Sequence, residues 1–409
     1  MNTTTLVLPF DVADALLHLA RQPLESAAVL LARRARLSNG GLRLIAVQLV
    51  EVPDEAYLDR TEKSLGIASD GYLPALRAAE AAGCVALWVH THPADGCTPE
   101  PSRHDRVVDE QLAPAFTART GSGLYGALIL RHHDGHLTFT GHIEGEETAI
   151  IDRVFTVGAR FSLLRSFDAA VPQLPQLHDR HIRAFGAEIP RVLAELRIAI
   201  VGTGGTGSAV AEQLVRLGVR HLTLVDPDTL SDSNLTRVYG STPADVGRHK
   251  VDVVADHLQR IADGVHIRPV VGTVSHRRIA QQIVGADVVF GCTDDDAGRM
   301  RLSRFSCTYL TPLIDCGIQI SSTGDGQVHD IIGRVTVLHP GAACLLCRER
   351  ISLQIAAAQE RPTEEQARLA KEGYAPALPG VEPAVIAYTT ATAAAAVNEL
   401  LERLVGYGP

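Results

Sequence analysis

Two groups of residues in this chain have the types and spacing that chemistry needs. The first is Gly202-Thr203-Gly204-Gly205-Thr206-Gly207-Ser208, set between an apolar run (LRIAIVG, 196–202) and a helical pattern (SAVAEQLVRLG). Glycines at such a turn let the backbone approach a phosphate, and the helix that follows offers unpaired N–H groups and the positive end of its dipole. An acid, Asp226, closes the next apolar run (HLTLVD), where a ribose hydroxyl is expected. These features call for an adenine nucleotide and do not separate NAD from ATP. The residues beyond them do. Asp226-Pro-Asp228 leads to Ser233-Asn234-Leu-Thr-Arg237, then Gly247-Arg248-His249-Lys250, then Cys292-Thr293-Asp294-Asp295-Asp296 and Arg299. Hydride transfer has no use for Arg, Lys and several acids converging on phosphates. Adenylation does, because a carboxylate attacks the α-phosphorus while magnesium pyrophosphate leaves. Cations must offset the growing negative charge, and an acid must hold the metal.

The second group lies near residue 100. Val89-His90-Thr91-His92-Pro93 closes an apolar run, and Pro101-Ser102-Arg103-His104-Asp105 opens a polar helical one. Side chains at i and i+2 of a strand point the same way, so both imidazoles can reach one ion and a downstream Asp can supply a third ligand. Three protein ligands leave a fourth position for water, as in catalytic zinc sites. Water there ionises near pH ~7, and hydrolysis then needs a base, for which Glu is the expected type. The chain has 17 His, so chance pairs are expected and satisfied surface histidines are the plain alternative.

Positioning these groups takes two differently patterned halves, separated by VPQLPQL at 171–177. Residues 85–90, 124–131 and 136–143 read as strands, the last two joined across an Asp134-Gly135 hairpin signal. Residues 74–82 and 103–119 read as helices, so the first half is α+β. In the second half a helical stretch at 178–186 precedes strands at 196–202, 221–226, 266–272 and 286–294, with helices at 208–218, 249–262 and 385–404. Alternating strands and helices predict an α/β fold with a doubly wound, Rossmann-like parallel sheet. The expected domains are 1–170, a linker at 171–177, and 178–409. A net charge of -9 argues against a nucleic-acid partner, which asks for a basic face. No apolar run is long enough to span a bilayer, and the N-terminus lacks the basic start of a signal peptide. Seven cysteines form no small-domain framework, so a reducing, cytoplasmic compartment is expected.

The glycine turn, the D-x-D…S-N-L-x-R run, the G-x-x-K and the C-T-D occur in one order, and with them residues 178–409 resemble the ThiF/MoeB/ubiquitin-activating adenylyltransferases. The resemblance implies ATP and Mg as cofactors, with Gly202, Gly204, Gly205 and Gly207 cradling the nucleotide. It implies that Asp226 and Asp228 border the ribose, that Asn234, Arg237 and Lys250 lie near the phosphates, and that Asp294 helps hold Mg. Arg180 matches an arginine that this family supplies from the partner protomer of a homodimer. Many members hold a structural zinc with two C-x-x-C pairs. Here Cys344-Leu-Leu-Cys347 matches the first and no cysteine follows. The pair can be packed as small hydrophobes, can include a thioester-forming or sulfur-transferring thiol, or can bind metal with a distant His or across a dimer. Cys292, Cys307 and Cys316 are expected to be buried and inert, although LIDCGI, which holds Cys316, reads as a loop.

The run H-x-H-P followed by P-S-x-x-D resembles the JAMM (MPN-type) zinc metallopeptidases over roughly residues 5–145. That resemblance implies a zinc site of His90, His92 and Asp105, Glu25 before the apolar SAAVLLA as the base, and Ser102 hydrogen-bonded to the tetrahedral intermediate. The stretch between His92 and Asp105 is two residues longer than the family's usual spacing, which leaves His104 or Asp95 as substitutes for Asp105. Together the two resemblances imply a bifunctional enzyme. One half would adenylate the C-terminal carboxylate of a ubiquitin-like or sulfur-carrier protein, with a conjugating enzyme as a further partner. The other would cut beyond the same tail. A cofactor-biosynthesis or peptide-modifying adenylase with a releasing peptidase is one alternative, and a regulatory scaffold with inactive sites is another.

Overall fold

The computed structural model of the chain describes residues 2–93, 98–133, 135–166, 178–322, 327–372 and 384–408. Asp95, Asp134 and the 171–177 stretch lie outside the described residues. The chain divides into two compact units, Met1–Ala170 and Val171–Pro409. No helix among the described residues is long and apolar enough to cross a membrane.

The first unit runs β1 (Asn2–Pro9), α1 (Phe10–Ala20), β2 (Ala27–Arg36), β3 (Leu42–Glu51), β4 (Tyr57–Arg60), β5 (Leu65–Ile67), α2 (Leu73–Ala82), β6 (Val85–Thr91), α3 (Arg103–Thr120), β7 (Leu124–His133), β8 (His136–Gly145), β9 (Ala149–Val157) and β10 (Phe161–Arg165). Its main sheet has the order β1-β3-β2-β6-β7-β8-β9-β10, and β1 also pairs with β9, so the sheet closes on itself. Strand β6 is buried along its whole length, as a central strand covered on both faces must be. The two-residue period of a strand sorts the side chains. Ala28, Leu30 and Leu87 pack with Leu16 and Leu19 of α1, whereas Val29, Leu31 and Trp88 pack with Ala79 of α2 and Phe116 of α3. β2 and β6 are antiparallel with Ala27 opposite His90. Glu25 lies two residues before Ala27, ahead of the start of β2.

The second unit runs α4 (Asp179–Phe185), α5 (Glu188–Glu195), β11 (Arg197–Val201), α6 (Gly205–Leu217), β12 (His221–Asp226), α7 (Lys250–Ile261), β13 (His266–Val271), α8 (Arg277–Ala280), β14 (Val288–Gly291), α9 (Asp296–Tyr309), β15 (Leu313–Ser322), β16 (Val328–Leu338), α10 (Leu353–Gln359), α11 (Thr363–Lys371) and α12 (Ile386–Val405). The sheet order is β13-β12-β11-β14-β15-β16. All neighbours are parallel except β15 and β16. From β11 the chain winds outward to β13 and then returns to β14 on the other side of β11. A doubly wound sheet binds ligands at that reversal, and the glycine turn follows β11. The helix after the turn begins at Gly205, earlier than the sequence pattern predicts, because Gly205 and Gly207 join its first turn. The strand expected at 286–294 stops at Gly291, which leaves Cys292-Thr293-Asp294 as cleft-facing loop. LIDCGI is part of strand β15 rather than a loop, paired along its length with β16.

Candidate functional site

The glycine turn is held by close approach. Gly202 has φ +90, and a Cβ there would lie 2.5 Å from the Cys292 carbonyl oxygen. A Cβ on Gly207 would lie 1.8 Å from the Gly202 carbonyl oxygen. Gly204 caps the N-terminus of α6 and has no neighbour within 4 Å of where its Cβ would be, so bare backbone is open to a phosphate. Asp226, 5% exposed, accepts from the N–H groups of Thr203 at 2.6 Å and Asp228 at 2.9 Å, one on each carboxylate oxygen. Burial pushes its pKa up, and those N–H groups and Lys250 pull against that rise. The carboxylate therefore locks the turn to the end of β12.

A cleft of about 380 Å³ opens here, and its lining includes Gly204, Asp228, Arg237, Lys250, Asp294 and Arg299. Lys250 Nζ donates to Asp228 Oδ2 at 2.7 Å. Arg237 Nη1 donates to the Ser233 carbonyl at 2.7 Å. Asn234, expected near the phosphates, is not among the residues that line the cleft. It is buried, and its Oδ1 accepts from the N–H and the hydroxyl of Ser231, both at 3.0 Å. It fixes the short turn that precedes Arg237. Arg180 is exposed on α4 and is not part of the lining. The Thr203 N–H, which anchors Asp226, had no signal in residue type because any residue's backbone supplies it. The turn, the fixed acid and the two cations fit an adenine nucleotide, and Asp294 offers the hard oxygen that Mg takes.

The cysteines divide differently from the expectation. Cys316 is buried, and the Cys292 thiol together with burial pushes its thiol pKa well up, so it is protonated. Cys307 is exposed, not buried. The inward face of α9 is Leu302, Phe305 and Ser306, and Cys307 falls one position round the helix. Cys344 and Cys347 have their sulfurs 3.4 Å apart on a turn, with Cys347 exposed, which does not fit packing as small hydrophobes. Hydrogen bonds from the N–H and thiol of Cys347 pull the Cys344 thiol pKa down.

In the first unit His90 and His92 are each 5% exposed, and their Nε2 atoms are 3.2 Å apart. Asp105 Oδ1 lies 3.4 Å from His90 Nε2, and Oδ2 lies 3.4 Å from His92 Nε2. The three ligand atoms fall within 4.8 Å of one another, which fits one divalent ion. Asp105 reaches them through a capping box. The Ser102 hydroxyl accepts from Asp105 N at 3.1 Å, and Asp105 Oδ2 accepts from Ser102 N at 2.6 Å. Burial alone would raise the Asp105 pKa, but hydrogen bonds from both histidines and the Ser102 N–H hold it well below the usual carboxylate range. His104 is exposed and lines the same cavity without joining the cluster. Asp95 is outside the described residues. The cavity is about 540 Å³, and Glu25, Ser102, Tyr72 and Trp88 are among its walls. Asp109, one helical turn after Asp105, also lines it and accepts from the Tyr125 hydroxyl at 2.6 Å. The sequence pattern did not single out that pair, because its partners come from separate elements.

Residues 178–409 match the model of the ThiF family. The chain belongs to the ThiF family. Molybdopterin-synthase adenylyltransferase of Escherichia coli (strain K12) is 33% identical over 172 residues, 42% of this chain and 65% of that protein. SAMP-activating enzyme E1 of Haloferax volcanii is 28% identical over 172 residues, 42% of this chain and 60% of that protein. Sulfur carrier protein ThiS adenylyltransferase of E. coli is 30% identical over 148 residues, 36% of this chain and 55% of that protein. The chain thus spans less than two thirds of the length of each of these relatives. The ThiF-family match begins at His178, after the residues of the His90–His92–Asp105 cluster.

Proposed function

We propose that the second unit uses ATP to adenylate the C-terminal carboxylate of a ubiquitin-like or sulfur-carrier protein. The observation that carries this is the single cleft at the sheet's reversal, where the glycine turn, Asp228, Arg237, Lys250 and Asp294 face one another. Asp226 and Asp228 border the ribose, and the backbone of Gly202–Gly207 receives the phosphates. A carboxylate oxygen of the carrier attacks the α-phosphorus. The new O–P bond gives the acyl adenylate, and the bond to the bridging oxygen breaks with its electron pair going to pyrophosphate. Lys250 and Arg237 supply the positive charge that this departure needs. A magnesium ion bound with the nucleotide would neutralise part of the leaving charge, and Asp294 is the residue to hold it. Two chains form a homodimer, and Arg180 reaches the neighbour's cleft. The test is exchange of labelled pyrophosphate into ATP in the presence of a carrier protein; binding of NAD without binding of ATP would sink the assignment.

The first unit, on the same proposal, is a JAMM-type zinc peptidase that acts on the same tail. The support is the three converging ligand atoms, with Glu25 and Ser102 in the same cavity. A zinc ion there would supply a Lewis acid and a water that ionises near pH ~7. Glu25, 6% exposed and lining the same cavity as His92, takes the proton and returns it to the leaving amine. Ser102 spends only an acceptor lone pair on its cap, so its O–H remains able to donate to the oxygen that gains charge on the substrate. Cleavage leaves the free carboxylate that the adenylating cleft requires. Cleavage of a carrier protein carrying a C-terminal extension tests this half.

A second reading, sulfur transfer instead of conjugation, has its support in the Cys344–Cys347 pair, with Cys347 exposed and the Cys344 pKa lowered. Trapping the carrier as a thioester or a persulfide on this pair separates the two.

A further inference from the structure

The cavity that holds His90, His92 and Asp105 is larger than one ion and its water require, at about 540 Å³. Its lining divides by polarity. The exposed residues, among them Glu62, Lys63, His104 and Gln111, are polar. The apolar ones are not exposed: Leu65, Ile67, Tyr72, Val108 and Leu112 are half-buried, and Trp88 is 4% exposed. Leu65, Ile67, Tyr72 and Leu112 pack against the core that contains Trp88 and Phe116, yet all keep surface on the cavity. The Trp88 ring meets Tyr72 and Phe116 edge-on, with centroids 6.2 and 6.5 Å away, so its position is held from two sides. Protein interiors are close-packed. Six apolar side chains around a void of this size, behind a polar rim, have the form of a pocket for a ligand group.

The apolar wall and the ligand cluster grow from the same two elements. On β6, Trp88 and His90 are two residues apart, so their side chains leave one face about 6.6 Å apart. On α3, Asp105, Val108 and Leu112 fall on one face at i, i+3 and i+7. The helical rise puts Val108 about 4.5 Å and Leu112 about 10 Å along the axis from Asp105. Leu65 and Ile67 come from β5. A peptide bond whose carbonyl meets an ion in the cluster has its two Cα atoms about 3.8 Å apart. The side chain of a flanking residue therefore starts within about one helical turn of the apolar wall. A glycine there leaves the chamber to water. A leucine or phenylalanine covers the wall, and removing that surface from water favours binding.

We propose that this chamber receives the side chain of a residue flanking the bond to be cut, and that it selects a bulky apolar one. The inference rests on the peptidase reading and deepens it by naming the substrate class. Binding can be read apart from cleavage with hydroxamates, which hold a zinc ion through their two oxygens. In calorimetry on the full chain loaded with zinc, 4-methylpentanohydroxamate should bind at least about tenfold more tightly than acetohydroxamate, the lower end for a single methylene in an apolar pocket. Val108→Phe, which fills the chamber from α3, should bring that ratio close to one while zinc content stays unchanged. Leu65→Gln, on β5 and apart from the ligand cluster, should also lower it. Cleavage gives a second readout. Among extended carrier proteins with Leu or Gly on one side of the scissile bond or the other, Leu at one of the two positions should raise kcat/KM at least about tenfold. Equal affinities for the two hydroxamates, a ratio undiminished in both variants, or no gain from Leu at either position would each overturn the chamber's role. Failure of the zinc-loaded chain to bind either hydroxamate would instead overturn the zinc-peptidase reading, and this inference with it.

Discussion

Lys250 Nζ donates to Asp228 Oδ2 at 2.7 Å, which ties the first residue of α7 to the loop after β12. The Lys250 N–H also donates to the Asp228 carbonyl at 3.0 Å, so backbone and side chain hold one geometry. The two partners are unlike. The Lys250 side chain is 12% exposed and that of Asp228 is 61% exposed. A pair with one arm in water is worth at most about 1 kcal/mol, so a phosphate can take the ammonium from Asp228 at little cost. Its backbone tie keeps the lysine at the cleft while the side chain changes partner. Lys250→Ala should therefore lower pyrophosphate exchange by about 10²–10³, and so should Arg237→Ala. Near-full exchange in either variant would remove that residue from the phosphate site.

Arg180 is exposed on α4 and absent from its own chain's cleft lining. If it acts, it acts on a neighbour. Arg180→Ala and Lys250→Ala chains, each inactive alone, should recover activity when mixed, because one of the two sites in each mixed dimer then has both residues intact. Random assortment puts the ceiling at about a quarter of sites. Two well-folded variants that recover nothing on mixing would count against a shared site.

How much of this was legible in the sequence depends on how local each feature is. The glycine turn, Asp226 and strand β6 announce themselves, because each is fixed by sterics or apolar patterning within a few residues. The ordered motifs after Asp226 carry the nucleotide site for the same reason. Asn234 shows the limit: its place in the run is legible, but its bond to Ser231 depends on the fold of that loop. Cys307 was misjudged because α9 is only weakly amphipathic, so its inward face is not set by the sequence pattern. The β15–β16 hairpin was missed because β16 (VHDIIGRVTVL) breaks the apolar alternation with charges. Arg299 of α9, Asp315 of β15 and Arg334 of β16 form ion pairs of 3.7 and 3.8 Å, and nothing local says that they meet. Asp105 lies between these cases. Its capping box with Ser102 is local, but its approach to His90 across the residues after Pro93 is tertiary.

Ser102 has two jobs that substitution can separate. Its oxygen caps α3 by accepting from Asp105 N, and its hydroxyl hydrogen is the proposed donor to the substrate oxygen. Ser102→Ala should cost about 1 kcal/mol of stability through the lost cap, and Ser102→Gly only a few tenths. Both remove the same donor, so both should lose cleavage alike, by roughly 10²–10³. Denaturant unfolding and cleavage rates measured on the two variants decide the matter. Cleavage that follows stability, better in Gly than in Ala, would leave Ser102 as a cap alone.

The zinc site makes the sharpest demand on the first unit, because ligand and base should fail differently. The full chain should bind about one zinc ion in this cluster. His92→Ala and Asp105→Ala each remove one of three converging donors, which leaves too few to hold an ion with an open position. Both should lose zinc and cleavage together. Glu25 is not part of that cluster but lines the same cavity, so Glu25→Ala should keep zinc and lose hydrolysis of an extended carrier protein. Asp105→Ala is the most informative of the three, since the loop before it is longer than the usual spacing and His104 lines the same cavity. Metal analysis that finds zinc unchanged in Asp105→Ala would move the third ligand to His104 or Asp95. No zinc in the unmodified chain would leave a cavity that binds the tail without cutting it.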